Sequence, residues 1–142
     1  MNELSPILWL DVAGRLLFAI ALSSVIGLDR ELGEKAAGLR TNMLVALGSA
    51  LFVLVPIQAG LAAADATALA RTLQGIITGV GFVGAGSILR EGRVRGLTSA
   101  TAVWISAALG ITAGLGLWQL GLLGVGFAIT ILRAVKFLEK HL

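Results

Sequence analysis

Apolar residues run along this chain in long continuous blocks, and the polar residues collect between the blocks. A helix crossing a hydrocarbon core of about 30 Å needs roughly 17–25 mostly apolar residues. Five stretches meet that requirement, at about 7–28, 41–63, 72–89, 97–113 and 115–132. The first holds Asp11 and Arg15 near its start, and the second holds Pro56 near its end. The last two are short and meet at Gly114-Leu115-Gly116. Read as one helix, they would measure about 54 Å at 1.5 Å per residue. That is too long for one crossing, so a tight hairpin is expected. A β-barrel does not fit, because the runs lack two-residue alternation. The pattern predicts an all-α integral membrane protein, one domain over 1–142 with five transmembrane helices.

The polar gaps set an expected orientation. Arg30, Lys35 and Arg40 lie between spans one and two, and Arg90, Arg93 and Arg95 between spans three and four. Arg133, Lys136 and Lys140 follow span five. Nine of the eleven basic residues therefore share one side, with Arg15 and Arg71 on the other. Lys/Arg-rich loops stay inside, which predicts a cytoplasmic C-terminus and an outside N-terminus. Residues 1–11 carry Glu3 and Asp11 where a secretory leader would be basic, so no cleavable signal peptide is expected.

Composition narrows the function classes. Charged residues make up 13% of the 142 positions and hydrophobic residues 57%, against about 25% charged in an average soluble domain. A chain this small has too few polar groups to cover a soluble surface. That argues against a soluble enzyme, a disordered chain and a nucleic-acid reader. The pI of about 10.2 follows from the basic loops, whose default partner is anionic membrane lipid. Cysteine is absent, which removes disulfides and thiolate metal sites. His141 is the one histidine, so no zinc site can be assembled. No serine has a histidine to work with, and no catalytic triad is available. No enzymatic activity and no cofactor are expected.

Three groups of residues stand out. Gly79-Val80-Gly81-Phe82-Val83-Gly84 satisfies G-x-G-x-x-G, but it lies inside an apolar span with no preceding strand, and we read the match as accidental. Gly75, Gly79, Gly81, Gly84 and Gly86 are better read as a smooth face for close helix packing, which would put the third span at the centre of the bundle. A locally broken helix lining a polar path is the alternative. Asp11 and Arg15 stand four apart and are expected to pair at the outer interface. Asp29, Arg30 and Glu31 end the first span and Arg40 opens the second across a short loop. An Asp29–Arg40 pair is expected there. Asp29, Glu31 and Glu34 could supply oxygens to Mg²⁺, but the interspersed Arg30, Lys35 and Arg40 argue against a cation cage, and no metal site is assigned. Gly110 with Gly114, and Gly121 with Gly124, suggest spare small-residue surface and hence a homo-oligomer, most simply a dimer.

Asp29-Arg30-Glu31, Gly38-Leu39-Arg40-Thr41, the glycines from Gly75 to Gly86, and Val94-Arg95-Gly96-Leu97-Thr98-Ser99-Ala100 with Trp104 occur in this order and spacing. Together they resemble the MgtC/SapB family of bacterial inner-membrane proteins, over about residues 22–118. The resemblance implies a five-helix membrane module. It also implies a link to adaptation to low magnesium or stress, since the family's founding members are virulence factors needed in low Mg²⁺ and in macrophages. Those members are held to restrain the ATP synthase rather than to move Mg²⁺. Many carry a soluble C-terminal domain, whereas this chain ends ten residues after span five. The residues carrying the resemblance are taken as interaction or structural motifs: Asp29, Arg30, Glu31, Arg40, Thr41, Gly79, Gly81, Gly84, Gly86, Gly96 and Thr98. The expected function is regulation or interaction through packing with a membrane protein partner. The alternative is an oligomeric channel or transporter for Mg²⁺ or another ion. Against transport, the span centres lack the ionisable residues that mark ion paths. In its favour, a glycine-rich span can expose backbone carbonyls.

Overall fold

A computed structural model describes residues 5–90 and 94–141; Glu3 and Arg93, used above for charge, lie outside the described residues. Among the described residues, five helical spans are long and apolar enough to cross a membrane. They are α1 (Trp9–Leu32), α2 (Leu39–Gln58), α4 (Ala66–Ala85), α5 (Leu97–Gly114) and a last span that begins as α6 (Trp118–Thr130). The last span passes through a π-helical segment, Ile131–Val135, into the short α7 (Lys136–Glu139). A four-residue helix, α3 (Leu61–Ala64), joins α2 to α4. Strands β1 (Leu89–Arg90) and β2 (Val94–Arg95) form a two-residue antiparallel ribbon between α4 and α5, pairing Leu89 with Arg95 and Arg90 with Val94.

Local chemistry sets the boundaries. The expected hairpin between the last two spans is present. Leu117 N–H donates to Thr112 O at 2.8 Å and Gly116 N–H to Ala113 O at 3.0 Å, the Schellman ending of a helix. Gly116 takes φ +72°, a conformation that L side chains rarely adopt. The second span stops earlier than expected, at Gln58, where Gly60 (φ +72°) turns the chain into α3. The third starts six residues earlier, because Asp65 caps it by accepting from Thr67 N at 2.9 Å and Thr67 Oγ1 at 2.7 Å. It ends at Ala85 rather than at 89 and is unbroken throughout, so the broken-helix alternative does not describe this chain.

Helices α1, α2 and α5 form the centre, with Ala19, Ala46, Ala50 and Ala113 fully buried where they meet. Gly110 sits directly on the Ala46 backbone. The third span is not central, contrary to expectation: 50% of the apolar stretch of α5 is buried within the chain, against 22% for α4. The buried stripe of α4 is Ile76, Val80 and Gly84. Gly75 and Gly79 are each one residue away from that stripe, about 100° around the helix, and they face open space, as does Gly81. Only Gly84 meets a neighbouring helix, at Ala100 of α5.

The glycines offered as evidence for a dimer are used inside the chain. Gly114 packs on Ala50 and Val53, Gly121 on Leu22 and Phe18, and Gly124 on Leu109. Spare small-residue surface lies instead on an open apolar groove of about 510 Å³ between α2 and α4, lined by Gly48, Gly75 and Gly79.

Candidate functional site

The end of α1, the start of α2, the start of α5 and the end of the last span come together at one end of the bundle, which carries most of the basic residues. This is the basic end of the bundle.

The α1–α2 hairpin is fastened by polar groups the backbone needs. Glu31 reaches across the loop, and its Oε2 accepts from Leu39 N at 2.8 Å. Gly38, the N-cap of α2, has no side chain to cap the helix, so the Glu31 carboxylate satisfies an orphan N–H and complements the positive helix end. A side chain on Gly38 would collide with that carboxylate. Asn42 lies one turn deeper and is fully buried. Its Nδ2 donates to Ala37 O at 3.2 Å and Gly38 O at 2.8 Å, while its Oδ1 accepts from Ser106 Oγ on α5 at 2.7 Å.

Asp29 does not pair with Arg40. Its Oδ1 accepts from Arg133 Nε on the last span at 3.1 Å. Arg40 projects outward from the first turn of α2 and Thr41 is half-buried. Sequence proximity favoured Arg40, but the first turn of α2 points it away from Asp29, and only the folded bundle brings residue 133 to residue 29.

Arg30 points inward and is 6% exposed. Its guanidinium makes no hydrogen bond among the described residues, and its Nε is buried without a partner. It lines a cavity of about 540 Å³ with Lys35, Thr98, Ser99 and Lys136. The floor of this cavity is the first turn of α5. Gly96 is the N-cap there, at φ +91°, and no side chain among the described residues caps the helix. A Cβ at Gly96 would run into Ser87 O, so the glycine both permits the turn and seats it on the end of the α4 segment. Ile131, Leu132 and Val135 of the π segment close one wall; π segments occur often at functional sites.

Among the eleven singled-out residues, Arg30, Asp29, Gly96 and Thr98 therefore gather at one cavity, and Glu31 stands beside it as the α2 cap. Gly79 and Gly81 are remote from it on α4. Gly84 packs on α5, and Gly86 ends α4. Sequence reasoning missed Ser99, Lys136 and Arg133 as partners. Arg15 was expected to pair with Asp11 at the surface. Asp11 is exposed, but Arg15 is 8% exposed and its Nη1 donates to Gly114 O at 2.8 Å, at the C-terminal end of α5. A cation there complements the negative helix end. No three acidic or histidine side chains come together among the described residues.

The profile of the MgtC family matches residues 16–141. This chain belongs to the MgtC family. SrpB of Synechococcus elongatus is 50% identical over 143 residues, covering 93% of the chain and 79% of SrpB. YhiD of Escherichia coli K12, whose name proposes a magnesium transporter, is 39% identical, covering 90% of the chain and 62% of YhiD. MgtC of Salmonella typhimurium LT2 is 43% identical, covering 71% of the chain and 42% of MgtC. The chain thus spans under two thirds of YhiD and of MgtC. No solved structure matches it. Family and helices together make it a multi-pass membrane protein.

Proposed function

We propose that this protein is a regulatory or interaction protein of the bacterial inner membrane, linked to adaptation to low magnesium or stress. In this reading it acts by packing against a membrane protein partner, with its basic end and C-terminus in the cytoplasm. The open groove between α2 and α4 suits helix packing, either with that partner or with a second copy in a dimer.

The observation that carries this reading is the chemistry of the bundle interior. On α1, the central helix that carries charge at both ends, Arg15 and Arg30 are separated by fifteen residues, about 22 Å along the axis. The buried side chains between them on α1 are Ala19, Leu22, Ser23 and Ile26, and those packed around them include Ala46, Ala50, Val53, Ala113 and the neutral Asn42–Ser106 pair. Mg²⁺ surrenders its waters reluctantly and needs well-placed oxygens in their stead. The described acidic residues stand at the two ends: Asp29, Glu31, Glu34 and Glu139 at one, Asp11 and Asp65 at the other. The competing reading is ion conduction, favoured by the name that YhiD carries.

The test is Mg²⁺ entry into liposomes that contain a Mg²⁺-sensitive dye and the purified protein. The expected result is no flux above protein-free liposomes. Robust flux that Asp29→Asn abolishes would overturn the regulatory reading and favour the channel.

A further inference from the structure

The cavity at the basic end is lined by two positive features. The first-turn N–H groups of Leu97, Thr98 and Ser99 have no intrahelical acceptor, and the positive end of the α5 dipole opens at the same point. A carboxylate usually answers such a helix end, as Glu31 does for α2 and Asp65 for α4. Here the α5 end shares its cavity with Arg30, more than nine-tenths buried and without a hydrogen-bond partner among the described residues. Asp29 attracts Arg30 electrostatically but makes no hydrogen bond to it, and burying a guanidinium whose Nε has no hydrogen-bond partner is costly, the more so beside a helix N-terminus. Ser99, 2% exposed, adds a hydroxyl that makes no hydrogen bond among the described residues. Lys35 and Lys136 line the same cavity. Two carboxylates also face it, Asp29 and Glu139; Asp29 is engaged by Arg133.

A second cavity, of about 310 Å³, adjoins the first and shares Thr98, Ile131 and Leu132 with it. Its other walls are apolar or weakly polar, among them Ile105 and Thr101 of α5 and Phe127 of α6. It runs from the anion-seeking pocket along the outside of α5 and α6 towards the middle of the bundle. A soluble anion would use only the first cavity, whereas a phosphate carrying acyl chains would use both.

We propose that these joined cavities bind a glycerophospholipid. Its phosphodiester lies between Arg30 and the N-terminus of α5, and an acyl chain lies in the groove beside Thr101, Ile105 and Phe127. The site goes beyond the regulatory reading and does not depend on it: a lipid so held would tie α1, α5 and the last span together in either a regulator or a channel.

Native mass spectrometry of the detergent-purified protein, titrated with phosphatidylglycerol, tests this. Wild type and the remote variant Arg71→Gln should retain the lipid equally. Arg30→Gln should weaken retention about tenfold or more, as expected for loss of a charge-assisted hydrogen bond. Thr101→Trp, which fills the groove and leaves every phosphate contact in place, should also weaken it. Inorganic phosphate and glycerol 3-phosphate should fail to displace the lipid. Unchanged retention by a folded Arg30→Gln protein would overturn the site. Displacement by inorganic phosphate together with no effect of Thr101→Trp would overturn the lipid in favour of a soluble anion. If Arg30→Gln does not fold, Lys136→Gln decides, since Lys136 is exposed. It should weaken retention about threefold, within the range for a partly exposed charge, and full retention would overturn the proposal.

Discussion

Ser106 on α5 donates its hydroxyl to the Oδ1 of Asn42 on α2 at 2.7 Å, and both side chains are fully buried. Asn42 also ties down two carbonyls of its own loop, so one amide links the α1–α2 hairpin to the central helix. Interhelical hydrogen bonds in membranes contribute about 0.6–2 kcal/mol. Ser106→Ala should therefore cost about 1 kcal/mol. Asn42→Leu, which orphans the Ala37 and Gly38 carbonyls and the Ser106 hydroxyl, should cost about 2–3 kcal/mol. Melting of the two variants and the double variant in detergent checks both values; strictly additive losses would deny the coupling.

Glycine positions should differ sharply in tolerance. Gly110→Leu would drive a side chain into the Ala46 backbone, where nothing can move cheaply, and overpacking of this kind costs about 1–3 kcal/mol or more. Gly79→Leu meets open space, so the monomer should fold normally. Helicity and size-exclusion behaviour of the two variants give the comparison. If α4 packs on a second copy or a partner, Gly79→Leu should weaken that assembly without unfolding the chain.

Charges at the basic end should rank by role rather than by number. Glu31→Gln removes the anionic cap of α2 and should cost about 1 kcal/mol. Asp29→Asn removes a pair with an Arg133 that is 68% exposed, and exposed pairs contribute about 0–1 kcal/mol. Arg40→Gln should leave stability unchanged. Thermal melting in one detergent orders the three, and a larger loss for Arg40→Gln than for Glu31→Gln would contradict the hairpin geometry.

Acid should loosen the start of α4. The hydrogen bonds from the Thr67 hydroxyl and backbone N–H hold the Asp65 carboxyl below its ordinary range. A depressed carboxyl stabilises the fold above its unfolded pKa, and that contribution is lost as pH falls through the folded value. Asp65→Asn should therefore lower the melting temperature slightly at neutral pH and flatten its decline below about pH 4. Melting curves at several acidic pH values, for wild type and variant, provide the check.

The number of spans, their hydrophobic character and the hairpin at Gly114–Gly116 were legible along the chain, because burial in hydrocarbon demands long apolar runs and a short turn demands glycine. The family motifs were legible too, and Asp29, Arg30, Gly96 and Thr98 do meet at one cavity. Which spans form the centre was not legible. Every span is apolar, so hydropathy separates lipid from water but not lipid from protein, and the glycines of α4 proved to lie mostly beside its packed stripe. Pairings were equally hidden. Asp29 had a basic neighbour eleven residues away in sequence, yet the bundle presents Arg133 to it. Arg30 and Arg15 looked like ordinary loop and interface charges. Only the tertiary structure places one in the cavity at the start of α5 and the other on its C-terminal carbonyl, because both positions are set by how α1 crosses α5, and no local pattern encodes that crossing.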